Sequence, residues 1–135
     1  MKGILFITTA LLIITASSLY GGKTMAADTT SKTQVFSRAG TQAPYKGPSN
    51  LFTGNVTVQP LFEAKHPDAP VVGAYVTFEP GARSNWHTHP TGQHLVVTEG
   101  VGRTGTADGH IEEFNEGDVL WCPPGVKHWH GASPD

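Results

Sequence analysis

Two histidines stand two residues apart at His87 and His89, and a carboxamide follows at Gln93, within Gly81-Ala82-Arg83-Ser84-Asn85-Trp86-His87-Thr88-His89-Pro90-Thr91-Gly92-Gln93. On an extended strand, residues i and i+2 share a face, so both imidazoles can offer ring nitrogens to one ion while Thr88 faces away. A third imidazole is available from Trp121-Cys122-Pro123-Pro124-Gly125-Val126-Lys127-His128-Trp129-His130, far enough along the chain to return on a neighbouring strand. Imidazole suits zinc, iron, copper and nickel. A His-x-His pair alone also occurs on solvated strand edges or as a satisfied polar pair. Here four of the seven histidines fall into two short clusters, and that concentration favours a shared metal ion over a structural role.

The elements that would position these groups read as short strands. Apolar and β-branched runs cover residues 55–58, 71–78, 94–98, 110–114, 118–122 and 127–130, separated by turn signals. Asp108-Gly109 and Glu116-Gly117-Asp118 place glycine where a hairpin needs positive φ. Long amphipathic helical patterns are missing, so the chain reads as all-β and as one small domain. Strand parity adds detail. If His128 points inward, so does His130, with Trp129 packed on the opposite face. His130 is then a candidate proton donor or acceptor beside the metal, with a hydrogen-bonded structural histidine as the alternative. His94 faces away from Gln93, Ala74 and Val76 share a face of their strand, and His66 and His110 read as exposed.

The formal charge of −2 over 135 residues and the lack of a basic cluster exclude a nucleic-acid surface and leave small molecules as partners. Met1-Lys2, an apolar run over residues 4–14 and Met25-Ala26-Ala27 before Asp28 form a secretory leader pattern over 1–27. The expected setting is periplasmic or secreted, with no stable membrane association after cleavage behind Ala26 or Ala27. Residues 28–50 read as a flexible lead-in or a strand exchanged on assembly, and 51–135 as the folded domain. Cys122, the single cysteine, permits no internal disulfide and reads as a strand residue.

The spacing Gly81, His87-x-His89, Gln93, Gly100, followed by Gly117, Pro123-x-Gly125, His128, resembles the two ordered motifs of the cupin family. Gln93 stands where most cupins carry Glu, and Ala132 where they usually carry Asn. The resemblance implies a cupin barrel, a double-stranded β-helix or jelly roll, with a divalent metal held by His87, His89, Gln93 and His128. Gln93 either ligates the ion or sits beside the ligands. Three neutral imidazoles and a neutral carboxamide would leave the ion's charge uncompensated, which suits an anionic ligand and Lewis-acid work.

Phe52-Thr53-Gly54, Val76-Thr77-Phe78-Glu79-Pro80-Gly81-Ala82-Arg83, Trp86-His87-Thr88-His89-Pro90 and Lys127-His128-Trp129-His130-Gly131-Ala132 resemble the small manganese-dependent cupin hydroxynitrile lyases of bacteria. That similarity implies manganese, with iron, zinc or nickel as alternatives, and a pocket lined by Ala74, Val76 and Ser84. It also implies a homodimer or higher homo-oligomer, and cleavage of a cyanohydrin to cyanide and a carbonyl compound. Members of that group continue past the His-Gly-Ala-Ser-Pro position into further strands, so the last strand or strands of the barrel are expected to be missing from this chain. Other cupins share these strings, which keeps three alternatives open: a dioxygenase, an isomerase of a small carbonyl compound, or a non-catalytic exported ligand-binding cupin.

Overall fold

A computed structural model describes residues 2–9, 33–65 and 68–135. The cleavage region of the expected leader and His66 lie outside the described residues. Among the described residues there is no helix; eleven strands form two sheets. In chain order they are β1 (Lys2–Thr9), β2 (Tyr45–Lys46), β3 (Phe52–Thr53), β4 (Val56–Phe62), β5 (Val71–Phe78) and β6 (Arg83–Ser84). Then follow β7 (Gln93–Val97), β8 (Val101–Thr106), β9 (Ile111–Asn115), β10 (Val119–Cys122) and β11 (His128–Ala132). The six-stranded sheet runs β10-β7-β1-β5-β4-β2 and the five-stranded sheet β3-β6-β11-β8-β9.

All pairings are antiparallel, so one face of each strand can be buried and the other solvated. β5 shows this alternation, burying Val76 and Phe78 while Tyr75 is exposed. The inner faces meet in a core of Val56, Val58, Val76, Phe78, Ala82, Leu95, Val97, Phe114 and Ala132. Phe78 and Leu95 are fully buried, each contributing roughly 2–3 kcal/mol by removal of its side chain from water.

The two expected turns are present. Gly109 and Gly117 have φ of 92° and 89°, and Asp108 Oδ1 accepts hydrogen bonds from Thr106 Oγ1 and the His110 N–H. The apolar N-terminal run supplies β1, which lies between β5 and β7 and pairs with both. Several boundaries differ from the sequence reading. β4 runs on through Pro60 with a register shift between Pro60 and Phe62, and β11 extends to Ala132. β8 was unforeseen, because Val101-Gly102-Arg103-Thr104-Gly105-Thr106 has the glycine content of a loop. Its glycines are packing requirements: a Cβ at Gly102 would meet the Phe114 ring at 2.8 Å, and one at Gly105 would meet the Trp129 indole.

Gly131 is the tightest contact between site-bearing strands. A Cβ there would fall 2.6 Å from Arg83 Cα and onto the Ala82 carbonyl, both backbone that cannot rotate away. Gly131→Ala is therefore expected to force β11 off β6 and cost about 1–3 kcal/mol, a fall of roughly 5–10 °C in thermal midpoint. Gly117→Ala, in open space but at positive φ, should cost only about 1 kcal/mol. Equal losses in the two variants would refute this packing assignment.

Candidate metal centre

His87 and His128 are brought together by the backbone. The two residues form an isolated antiparallel bridge in which each N–H donates to the other's carbonyl at 3.0 Å. Their ring centroids are 4.4 Å apart. His89 follows in irregular chain, not on the regular strand that the His-x-His spacing suggested, yet its ring lies 4.9 Å from that of His87 and 5.6 Å from that of His128. The Gly125 N–H donates to the His89 carbonyl at 3.0 Å, tying this irregular stretch to the turn before β11. Gln93 opens β7, 2% exposed, and its Oε1 is 3.1 Å from His128 Nε2.

The tautomers of two rings follow from their backbone partners. His87 Nδ1–H donates to the Asn85 carbonyl at 2.8 Å, and His128 Nδ1–H to the Val126 carbonyl at 3.0 Å. Both rings therefore keep the Nε2 lone pair for the interior. Cys122 Sγ lies 3.1 Å from His128 Nδ1 and braces the same ring, a contact that the sequence did not disclose. With that tautomer, His128 Nε2 and Gln93 Oε1 are two acceptors facing each other. Only an overturned carboxamide would make them a hydrogen bond, whereas a cation shared by both atoms satisfies them as they stand. Nε2 of His89 is also buried with no well-formed hydrogen bond. The residues fit a divalent ion: three neutral imidazoles and a carboxamide oxygen, converging from β7, β11 and the segment after β6.

His130 is closer to this group than its expected place beside the metal required. One potential ligand nitrogen from each of His87, His128 and His130 lies within 4.8 Å of the others. The His130 ring stands edge-on to His87 at 5.1 Å and to Phe78 at 6.0 Å, and the His130 main-chain N–H donates to the buried Ser84 Oγ at 3.0 Å.

The site opens into a cavity of about 330 Å³ bordered by His87, His89, Gln93 and His130 at its polar end. Val58, Val76, Phe52 and Ser84 form the walls, and Tyr45, Leu51 and Trp86 the outer part. Val76 and Ser84 are thus at the cavity. Ala74 is not: two residues further along β5, about 6.5 Å away, it borders a different cleft with Pro60, Phe62 and Val72. The sequence reading missed Tyr45, Asn50, Leu51 and Asn85. The first two belong to the segment expected to be a loose lead-in, yet β2 pairs with β4 and brings that segment to the cavity.

Burial sets the charge state of the imidazoles. Removal from water, followed by repulsion from His87 and His128, lowers His89 from 6.5 to about 4, with the Gln93 carboxamide offsetting part of the shift. Burial likewise lowers His128, and it holds His130 well below the ordinary value, with His87, His128 and His89 adding to the effect.

A cupin-domain family model matches residues 74–135. Over 97 residues the chain is 58% identical to an (R)-mandelonitrile lyase of Granulicella tundricola, covering 72% of this chain and 73% of that protein. Among solved structures, a cupin-like protein from Thermotoga maritima aligns with a TM-score of 0.62 and 42% identity, over 76% of this chain and 74% of that one.

The lowered imidazole pKa values predict acid sensitivity. From about pH 6.5 downward the unfolded chain takes up protons that the folded site refuses, so stability falls as pH drops, with the His89 share of the loss complete near pH 4. Thermal unfolding of metal-free protein should show this decline, and His89→Gln should flatten it. An identical pH profile in the variant would contradict the assignment.

Proposed function

The chain belongs to the cupin family, and on that premise we propose that it is a metal-dependent hydroxynitrile lyase, cleaving a cyanohydrin to a carbonyl compound and hydrogen cyanide. The observation that carries this reading is a donor cluster without a carboxylate, His87, His89, Gln93 and His128, set at the end of a largely apolar cavity. The 58% identity to a mandelonitrile lyase supports it. A divalent ion bound there, manganese in this reading, supplies a Lewis acid for negative charge on the substrate oxygen, undiminished by any ligand carboxylate.

The remaining work falls to the chain's own groups. Val58, Val76 and Phe52 hold the organic part of the substrate and exclude water. His130 borders the cavity and is neutral at pH 7 because it is buried, so it can take the hydroxyl proton. The carbon–carbon bond breaks with its electron pair leaving on cyanide, and the same proton returns to cyanide. Ser84, hydrogen-bonded to the His130 main chain, fixes the position of that ring's strand against β6. The leader pattern supports an exported setting, and cleavage behind Ala26 or Ala27 would remove β1 and leave its place between β5 and β7 to another strand. Exposed Tyr75, Val119 and Trp121 on the outside of the six-stranded sheet support self-association as a homodimer.

Elemental analysis together with cyanide release from mandelonitrile after manganese loading tests the reading. Wild type should hold about one ion per chain and release cyanide. His89→Ala should bind the ion at least about 100-fold more weakly and lose release, whereas His130→Ala should keep the ion and lose release. Stoichiometric metal without cyanide release would sink the lyase reading, and oxygen consumption under the same conditions would put a dioxygenase in its place.

A further inference from the structure

Residues 47–53 form a strap across the mouth of the cavity. At its start the Gly47 N–H donates to the Val56 carbonyl at 2.8 Å, and a Cβ at Gly47 would meet the Phe52 ring at 2.8 Å, so glycine allows the chain to turn close over that ring. The N–H groups of Leu51 and Phe52 both donate to the Pro48 carbonyl, at 2.9 and 3.0 Å, and close a tight turn. Phe52 and Thr53 then pair with Ser84 and Arg83, and the Phe52 ring sits edge-on to Phe78 at 6.0 Å. The base of the strap is fixed by a ladder and by the core. Its tip carries Asn50 and Leu51 to the cavity, with Leu51 55% exposed.

Asn85 ties down the tip. Its N–H donates to the Leu51 carbonyl at 2.8 Å, its Nδ2 to the Ser49 carbonyl at 3.4 Å, and its Oδ1 accepts from Thr53 Oγ1 at 3.0 Å. The carbonyl of the same residue accepts from His87 Nδ1. The two duties are chemically separable. The side chain holds the strap at Ser49 and Thr53, while the main chain holds Leu51 through its N–H and the metal-facing ring through its carbonyl, and persists whatever side chain is present.

We propose that the Asn85 side chain is a positioning residue that sets the size limit of the substrate cavity by holding the 48–53 strap, with Leu51 as the barrier that the strap presents. This rests on the reading above that the cavity is where substrate binds. A neutral compound with one polar group at the metal end and one compact ring between Phe52, Val58 and Val76 is accepted; a ring bearing a bulky group at its far end runs into the strap.

Benzyl alcohol and 4-tert-butylbenzyl alcohol are suitable probes, because binding is read without turnover. Their dissociation constants for the manganese-loaded full chain, followed by NMR, are compared in wild type, Asn85→Ala and Leu51→Ala, alongside the dissociation constant for manganese. Wild type is expected to prefer the smaller alcohol by about tenfold or more, and both variants to reduce that preference to about threefold or less. Manganese affinity should stay within about threefold of wild type in Asn85→Ala, a result that general unfolding of the site would not give. An unchanged preference in Asn85→Ala overturns the proposal, as does a large loss of manganese affinity with the preference intact. Failure of both alcohols to bind wild type overturns the substrate-cavity reading and the proposal with it. A retained preference without cyanide release sinks the lyase reading alone.

Discussion

The arrangement hangs on the reciprocal pair of main-chain hydrogen bonds between His87 and His128. These residues lie far apart in sequence, His128 on β11 and His87 just after its partner β6, and the bridge sets their rings 4.4 Å apart. Side-chain contacts alone would not hold two imidazoles so close, since both lose hydration and gain nothing from each other while neutral. The backbone bears that cost. Once the bridge is formed, the carbonyls of Asn85 and Val126 orient the rings, Gln93 arrives from β7, and His89 is carried in by the chain that follows. The arrangement also needs close packing at Gly131, where β11 passes within contact distance of the backbone of Ala82 and Arg83.

The charge logic of the site follows from the same crowding. Burial and the neighbouring rings lower the pKa of His89, His128 and His130. Those three rings are therefore neutral near pH 7, with lone pairs available to a cation. A glutamate in place of Gln93 would neutralise part of an ion's charge before substrate arrived. A carboxamide contributes only a dipole, which in the proposed lyase leaves more of the field for an oxygen that gains negative charge.

The donor set and the hairpin turns were legible because they depend on local order: ring spacing, Asp108-Gly109, Gly117 and the Pro-x-Gly before His128. What was hidden depends on distant partners. β8 looked like a loop because its glycines answer to Phe114 and Trp129, which only the folded sheet brings near. The strap was invisible because Asn85 meets Ser49 and Thr53 across 36 and 32 residues. Parity put Ala74 and Val76 on one face and the family resemblance put that face at the pocket, but neither says how far along the strand the cavity extends. The apolar N-terminal run fits both a leader and a strand, since a short apolar stretch carries no period that separates the two.

That N-terminal strand matters to the site through its neighbours. β5 supplies Val76 to the cavity wall and β7 supplies Gln93 to the donor cluster, and the two are bonded not to each other but each to β1. Being antiparallel to β1 on either side, they run parallel to one another, two strand spacings or about 9.6 Å apart. The distance from the apolar wall to the Gln93 carboxamide is therefore set by the backbone of an intervening strand. Without a strand in that position, two rows of unpaired N–H and C=O groups would face each other across the gap, and the sheet would have to close up or open further. Either movement would shift Gln93 relative to Val76, so the size of the cavity and the geometry of the donor cluster are coupled through this one position in the sheet.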